Sequence, residues 1–490
     1  MTITWSQCLR DRARERPNDI AVVDGDVTLS WSQLDAIADG IASGLSAEGI
    51  RPGDRVVSLL ENRAELIGLA VAAQRIGAVL APLNPIVTEF EVTARCAAIS
   101  PAVIVVEAAT ANEARGAGVP LLNLDSGDWR DLVRASGLTE DQPADEATAQ
   151  LLFSAGTNGD PRAAMLSYRA IGANLEQLAA LPEPVLTSAD RVLVVLPLFH
   201  AYALNAVVGA ALRFGATLVL QRRFDTAASL RTISDYDVTV VPAVPPMYLH
   251  WITEPGLAEA VSGVRLFLSG SAPLPPAVHE QFTTLTGHTV WQGYGMTEAA
   301  PVLTSTLVDR LAEPGSVGKP LPGVELRLVD DEGTDPAEGD PGEVWVRSPS
   351  LFSGYWPDAT DGPQPDGWYG TGDLGVLDEA GALHLVGRVR DLVNVGGFKV
   401  YPREVEEALE SHPAVLEAAV VGVPHPLTGE TVKAWVVLRP GERATPVAIL
   451  DHAAQRLARF KRPAILDIVT ELPRATTGKV ARRALRDGGA

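Results

Sequence analysis

The sequence predicts an α/β protein with more than one domain. Three observations carry that expectation. Short β-branched runs alternate with segments of helical periodicity through the first part of the chain, the texture turns to short strands and tight turns near Gly323, and it changes again to a compact α+β pattern after Arg390. At 490 residues the chain is also too long for one ordinary hydrophobic core, which agrees with two or three domains.

The elements follow in order. Residues 31–47 place Leu34, Ile37, Ala38, Ile41 and Leu45 at helical spacing, with Gly49 and Pro52 as stops. Arg55–Leu60 reads as a strand, Glu65–Ile76 as a helix and Ala78–Pro82 as a strand. Further strands are expected at Ala102–Val106, Leu193–Leu198, Ala216–Leu220, Val238–Val241 and Val264–Leu268. Such alternation suggests βαβ units and largely parallel sheets. Val324–Val329, Gly342–Arg347 and Leu383–Val386, separated by Gly/Pro/Asp turns, read as a small β subdomain. The last part reads as a helix at Pro402–Leu409, strands at Val415–Val423 and Lys433–Leu438, and a helix at Ala448–Arg459. A domain boundary is expected near 388–392.

Hydrophobic residues make up 46% and charged residues 21%, as in ordinary globular proteins. A formal net charge of -21 argues against a general nucleic-acid binder, which needs a basic face. The last forty residues reverse the balance, with nine basic side chains against four acidic ones, so that end suits either a small polyphosphate or a solvated surface. Cys8 and Cys96 form no spacing motif and fit a reducing compartment. The N-terminus lacks the pattern of a signal peptide, and the apolar stretches are too short or, at Leu204–Leu220, interrupted by Arg213. The expectation is therefore a cytoplasmic protein without a transmembrane segment.

Five motifs carry chemistry. Phe153-Ser-Ala-Gly-Thr-Asn-Gly-Asp-Pro-Arg162 offers backbone N–H groups, the Ser154 and Thr157 hydroxyls and the Arg162 cation to a phosphate, yet it also has the composition of an ordinary turn. Gly293-Tyr-Gly-Met-Thr-Glu298 flanks Tyr294 with glycines and sets a hydroxyl beside a carboxylate, which suits Mg²⁺ carrying phosphates as well as a helix cap. Trp368-Tyr-Gly-Thr-Gly-Asp373 reads as an aspartate in a glycine turn, able to accept ribose hydroxyls or to bond its own backbone. The fourth is Gly387-Arg-Val-Arg-Asp391 with Gly396-Gly-Phe-Lys399 after it, and the fifth is Leu472-Pro-Arg-Ala-Thr-Thr-Gly-Lys479.

In this order, and over essentially the whole chain, the motifs resemble the adenylate-forming (ANL) superfamily of acyl- and aryl-CoA ligases, peptide-synthetase adenylation domains and beetle luciferases. The resemblance implies a large N-terminal domain, 1–388, with two mainly parallel α/β sheet subdomains and a small β subdomain, and a small mobile α+β C-terminal domain, 389–490. It implies activation of a carboxylic acid by ATP and Mg²⁺ to an acyl-adenylate, followed by transfer to the thiol of coenzyme A.

Residue by residue, the phosphate loop matches at Ser154, Gly156, Thr157, Gly159 and Pro161. It departs at Ala155, Asn158, Arg162 and Ala163, where the family has serine, threonine, lysine and glycine. Gly270, Ser271, Ala272 and Pro273 resemble the adenine and ribose edge. Gly293, Tyr294, Gly295 and Met296 resemble the adenine stack, Thr297 the α-phosphate contact and Glu298 the magnesium ligand. Asp373 and Arg388 resemble the ribose site, and Lys479 the catalytic cation of the first half-reaction. Arg390 falls at the hinge position, and Gly396, Gly397 and Lys399 at the thiol tunnel. His200 resembles the gate of the acyl- and aryl-CoA ligases and replaces the aspartate that pairs with an α-amino group in amino-acid-activating relatives.

Gln292 and Gly293 precede Tyr294, where malonate-activating relatives place arginine, and Gly293 offers no charge and opens space instead. With Tyr202, Val241, Pro242 and Val244 it frames an apolar acyl pocket, which favours a fatty acid over an aromatic acid. The competing readings are an acyl-AMP ligase that loads an acyl carrier protein and, in a different class, a non-catalytic acyl-adenylate or nucleotide sensor. Luciferase-like oxygenation shares the scaffold. The resemblance fits either a monomer or a homodimer.

Overall fold

The helix Trp31–Ala47 forms where the apolar spacing places it, and Ser30 and Gln33 close its N-terminus as a capping box. The computed structural model describes residues 2–134, 143–155, 161–474 and 480–486. The chain packs into two compact units, Met1–Glu325 with Arg347–Tyr369, and Leu326–Val346 with Gly370–Ala490. The expected boundary at 388–389 lies inside the second of these.

Two parallel-rich sheets organise the first unit. One has nine strands, in the order Lys319–Pro320, Val302–Ser305, Val290–Gly295, Leu266–Ser269, Val240–Ala243, Arg191–Val194, Thr217–Leu220, Ile20–Asp24 and Val27–Ser30. Its six inner strands, from Val290–Gly295 to Ile20–Asp24, pair in parallel. The other has six strands, in the order Leu121–Asn123, Val103–Val106, Arg55–Leu59, Val79–Pro82, Thr148–Ala155 and Pro161–Ser167. Only the last of these pairs antiparallel. Val103–Val106 and Val79–Pro82 are buried along their whole length, as strands covered on both faces must be.

In the nine-stranded sheet the chain leaves Arg191–Val194 toward Thr217–Leu220 on one side, while Val240–Ala243 pairs on its other side and leads to Leu266–Ser269. Connections that part in opposite directions open a crevice at the carboxyl ends of those two strands, the usual ligand position in open α/β sheets. His200 and Tyr202 follow the first strand, and Val244 follows the second.

The strand expected at 193–198 stops at Val194. Asn62, buried at the end of the neighbouring sheet's strand Arg55–Leu59, takes over the backbone groups beyond it. Its Nδ2 donates to the carbonyls of Leu196 (3.0 Å) and Gln221 (3.2 Å), and its Oδ1 accepts from Leu198 N–H (3.0 Å). A side chain thus replaces the ladder and ties the two sheets together.

The second unit holds most of the sheet Glu325–Val329, Gly342–Arg347, Trp368–Leu377 and Leu383–Arg388. It also holds a five-stranded sheet built on the long hairpin Val415–His425 and Gly429–Leu438, with Val393–Val395, Phe398–Val400 and Ile465–Val469. The helix Pro402–Glu410 and the helix Pro446–Ala454 pack against it through Val405, Leu409, Ile449 and Ala453. The second helix stops five residues short of the expected Arg459, and the chain turns through a short 3₁₀ segment at Arg459–Lys461. Among the described residues no helix is long and apolar enough to cross a membrane. Both cysteines are buried, and burial pushes each thiol up to about 11, which keeps them protonated.

The packing of each unit can be tested by one substitution. Asn62→Leu removes the partners of three or more buried backbone groups and should cost on the order of 3 kcal/mol in urea unfolding followed by tryptophan fluorescence. In the second unit, burial raises the Glu410 carboxyl to about 7 against the opposing pull of Arg403. The folded form then holds a proton that the unfolded chain releases near 4.5, so this group's stabilisation is complete below about 4.5 and is lost as pH rises through about 7. Glu410→Gln should remove that slope, which stability measured at pH 5, 6, 7 and 8 would reveal.

Candidate active site

The candidate phosphate loop lies in the chain between Thr148–Ala155 and Pro161–Ser167, which pair antiparallel. Ser154 in Thr148–Ala155 stands opposite Arg162 in Pro161–Ser167. The loop residues Gly156, Thr157, Asn158 and Gly159 lie outside the described residues, as does Lys479. A segment that sequence reasoning did not single out docks on the outgoing strand. Ser353 N–H donates to the Met165 carbonyl, Met165 N–H to the Gly354 carbonyl, and Trp356 N–H to the Ala163 carbonyl, at 2.9–3.0 Å. The Phe352 N–H donates to the Glu298 carbonyl at 2.8 Å, so the same segment also reaches the turn that carries the acidic motif.

These contacts gather Ser154, Arg162, Glu298 and Tyr355 into one cluster. The Tyr355 hydroxyl donates to Glu298 Oε1 at 2.6 Å, and the Ser154 side chain bonds Tyr355 as well. The Arg162 guanidinium lies 3.8 Å above the centre of the Tyr355 ring. Its Nη2 donates to Asp361 Oδ2 at 2.7 Å and to Thr360 Oγ1 at 3.2 Å. Burial and the Glu298 charge hold the Tyr355 hydroxyl well above its ordinary value, and they raise Tyr369 to about 12. Both phenols therefore stay protonated beside a buried carboxylate, and Tyr355 is the donor to it. The sequence reading gave Arg162 to phosphate alone, whereas the structure gives it protein partners. Tyr355, Thr360 and Asp361 were missed, their signal being a Gly/Pro/Asp-rich stretch, 353–367, with a tyrosine near one end, and Tyr369 was given no role although it lies in the motif that ends at Asp373.

Glu298 sits in the short turn Thr297–Ala299, which follows the strand Val290–Gly295 bearing Gly293, Tyr294 and Gly295. The glycine beside Met296 has a packing reason. A Cβ on Gly295 would lie 2.0 Å from the Pro301 carbonyl oxygen, so only glycine lets the adjoining backbone close. Gly270, which opens the Gly270-Ser-Ala-Pro273 turn, faces the Tyr202 ring, 3.3 Å from where its Cβ would stand. Tyr202 lies in a π-helical segment, Tyr202–Gly209, a geometry frequent at functional sites. The His200 ring packs on Phe199 with centroids 4.2 Å apart. Val241 and Pro242 are within the strand Val240–Ala243, and Val244 leads into the helix Pro245–Trp251. His200, Tyr202, Val241, Pro242 and Val244 thus lie on or just after the two strands that flank the crevice, and Gly293 lies on the strand Val290–Gly295.

In the second unit Asp373 is not in a turn. It lies within the strand Trp368–Leu377, directly opposite Arg388, with Arg388 Nε 2.8 Å from Asp373 Oδ1. The glycines at 370 and 372 are accommodated in the strand because Thr371 Oγ1 donates to the Val344 carbonyl and Gly372 N–H to Glu343 Oε1, which replaces turn bonding. Arg390 lies in the short turn Val389–Asp391, where burial and the neighbouring Arg388 lower its affinity for a proton. Gly396 and Gly397 form the turn between Val393–Val395 and Phe398–Val400, and Lys399 pairs with Asp331. At the C-terminal end, Arg474 bridges to Val480, Arg482 Nη2 donates to the buried Glu406 at 2.6 Å, and Arg486 Nη2 donates to Asp391 at 3.2 Å.

Known proteins match the chain over most of its length. Residues 9–356 match the family model described as AMP-binding enzyme, and residues 404–479 match the AMP-binding enzyme C-terminal domain. A long-chain-fatty-acid–CoA ligase of Yersinia pestis is 39% identical over 345 residues, 69% of this chain and 61% of its own length. The chain therefore spans less than two thirds of that relative. The 4-coumarate–CoA ligase 5 of Oryza sativa subsp. japonica is 33% identical, with 97% of this chain and 93% of that one covered. Among solved structures, ATP-bound MatB from Rhodopseudomonas palustris is 33% identical, with a TM-score of 0.93 over 99% of both chains.

The Tyr355–Glu298 bond gives a direct test of the cluster. Tyr355→Phe leaves a buried carboxylate without its donor and should cost about 2 kcal/mol in chemical denaturation. A change below about 0.5 kcal/mol would mean that solvent serves Glu298 equally well.

Proposed function

The chain belongs to the AMP-binding enzyme family, and from that premise we propose that it is an AMP-forming acid–thiol ligase. It activates a carboxylic acid with ATP to the acyl-adenylate, releases pyrophosphate, and passes the acyl group to coenzyme A. The observation that carries this reading is the cluster at the phosphate-loop hairpin, where a hydroxyl, a cation and a buried carboxylate, Ser154, Arg162 and Glu298, meet around Tyr355.

Attack of a carboxylate on the α-phosphate brings two anions together, and the barrier falls when positive charge and donors are already in place. In this proposal Ser154, Thr157, Gly159 and Arg162 bind the outgoing pyrophosphate. Gly270, Ser271, Ala272 and Pro273 border the adenine, Tyr294 stacks on it, and Asp373 with Arg388 holds the ribose. Thr297 meets the α-phosphate and Lys479 the substrate carboxylate. Glu298 fits a magnesium ligand: it is a buried, hard oxygen donor held in place by a tyrosine hydroxyl, the ligand chemistry that Mg²⁺ takes. When bound, Mg²⁺ supplies charge neutralisation on the phosphates. Arg390 serves as the hinge, and Gly396, Gly397 and Lys399 border the path of the thiol.

The acid is apolar. His200, Tyr202, Val241, Pro242, Val244 and Gly293 carry no counter-ion for an amino group or a second carboxylate, and the likeness to long-chain-fatty-acid–CoA ligases supports a fatty acid. An aromatic acid is the second reading, favoured by the near full-length match to 4-coumarate–CoA ligases.

ATP–pyrophosphate exchange over a panel of fatty and phenylpropenoic acids, with thioester formation measured with and without CoA, tests the proposal. Exchange with at least one apolar acid and a CoA-dependent thioester are expected, and silence across the panel would remove the ligase reading. Lys479→Ala should abolish exchange yet largely spare transfer from supplied acyl-adenylate to CoA. Equal loss in both half-reactions would take Lys479 out of the first step.

A further inference from the structure

The position that is lysine in the family's phosphate loop is Arg162 here, and its surroundings use what lysine lacks. The flat face of the guanidinium covers the Tyr355 ring at 3.8 Å while one edge bonds Asp361 at 2.7 Å and Thr360 at 3.2 Å. Both bonds come from one nitrogen, Nη2, so what lysine lacks is the flat face: its ammonium is a point charge on a flexible stem and cannot lie as a plane over the ring. The counter-ion is presented at a conformational cost. Ala359 and Asp361 both occupy the left-handed region, with φ of 55° and 52°, a conformation that alanine adopts reluctantly and aspartate tolerates. The turn is closed by paired backbone bonds between Tyr355 and Thr360, 2.9 and 3.2 Å, which hold the backbone next to Asp361 in place. Below the ring, the Tyr355 hydroxyl holds Glu298, so the parked cation and the candidate metal carboxylate share one support.

We propose that Asp361 is a positioning residue that parks Arg162 on Tyr355, and that the triphosphate of ATP must take this cation from Asp361 in order to bind. The proposal rests on the reading of the hairpin as an ATP site. ATP affinity is then set by an exchange of partners, carboxylate for phosphate, and not by a cation already waiting for the nucleotide. Removing the Asp361 charge releases Arg162 and tightens ATP. Because the Asp361 side chain is 71% exposed, the gain is the modest one of a solvent-screened ion pair, about two- to five-fold in affinity.

Simple repulsion between Asp361 and the nucleotide would also predict tighter binding, and a double-mutant cycle separates the two. MgATP dissociation constants are measured by calorimetry, without acid or CoA, for the wild type, Asp361→Asn, Arg162→Ala and the double variant. Asparagine tolerates the left-handed backbone, so the turn survives the change. Asp361→Asn should tighten MgATP about two- to five-fold in the wild-type background and change it by less than about 1.5-fold when Arg162 is alanine. Equal tightening in both backgrounds would assign the effect to repulsion and overturn the proposal. No change, or weaker binding, in the wild-type background would overturn it as well. Arg162→Gln, which keeps a planar side chain without the charge, repeats the cycle should Arg162→Ala unfold. A wild type that binds MgATP but shows no pyrophosphate exchange removes the ligase function and leaves the clasp standing, whereas a wild type that binds no ATP removes both.

Discussion

Much of the first unit depends on a single buried amide. A chain that leaves a parallel strand at its carboxyl end must find partners for the backbone groups it strips from the ladder, because an unpaired buried carbonyl or N–H costs as much as a lost hydrogen bond. Asn62 supplies them for the segment after Val194, with donors to Leu196 and Gln221 and an acceptor for Leu198. It does so from the other sheet. The connection between the two sheets and the path that delivers Phe199 and His200 to the crevice are therefore one constraint. Nothing in the apolar periodicity around Asn62 announces it.

The cluster around Tyr355 shows a second economy. Glu298 is almost completely buried, and a buried carboxylate needs donors. Tyr355 gives one, and its ring face receives the Arg162 cation, so opposite charges are held on the two ends of one side chain without meeting. The departures of this loop from the family pattern look less like decay in that light. Arginine replaces lysine where a ring takes its flat face and a carboxylate takes one edge nitrogen.

The second unit relies on charge in a different way. Its basic C-terminal end is built into the fold by pairing. Arg482 joins the buried Glu406, Arg474 joins Glu417, and Arg486 joins Asp391, while Leu485 packs beside Trp435 and Leu472. These contacts bracket the segment that bears Lys479. A local excess of positive charge that composition alone could not assign thus has a structural use on at least three of its nine side chains.

By itself, the sequence determined the α/β class, the helix Trp31–Ala47, most strands to within two residues and, through its motifs, the family. These are local matters: periodicity, caps and turn residues act over a few neighbours, and phosphate-binding motifs are contiguous. Tertiary structure decided what depends on residues far apart in the chain. It moved Asp373 from a turn to a strand because Arg388 and Glu343 lay ready to pair with that stretch. It ended a strand at Val194 because Asn62, more than 130 positions away, could take its carbonyls. It brought Tyr355 and Asp361 to Arg162 across nearly 200 residues. Such contacts have no period and no spacing, and only the packing of the folded chain brings them together.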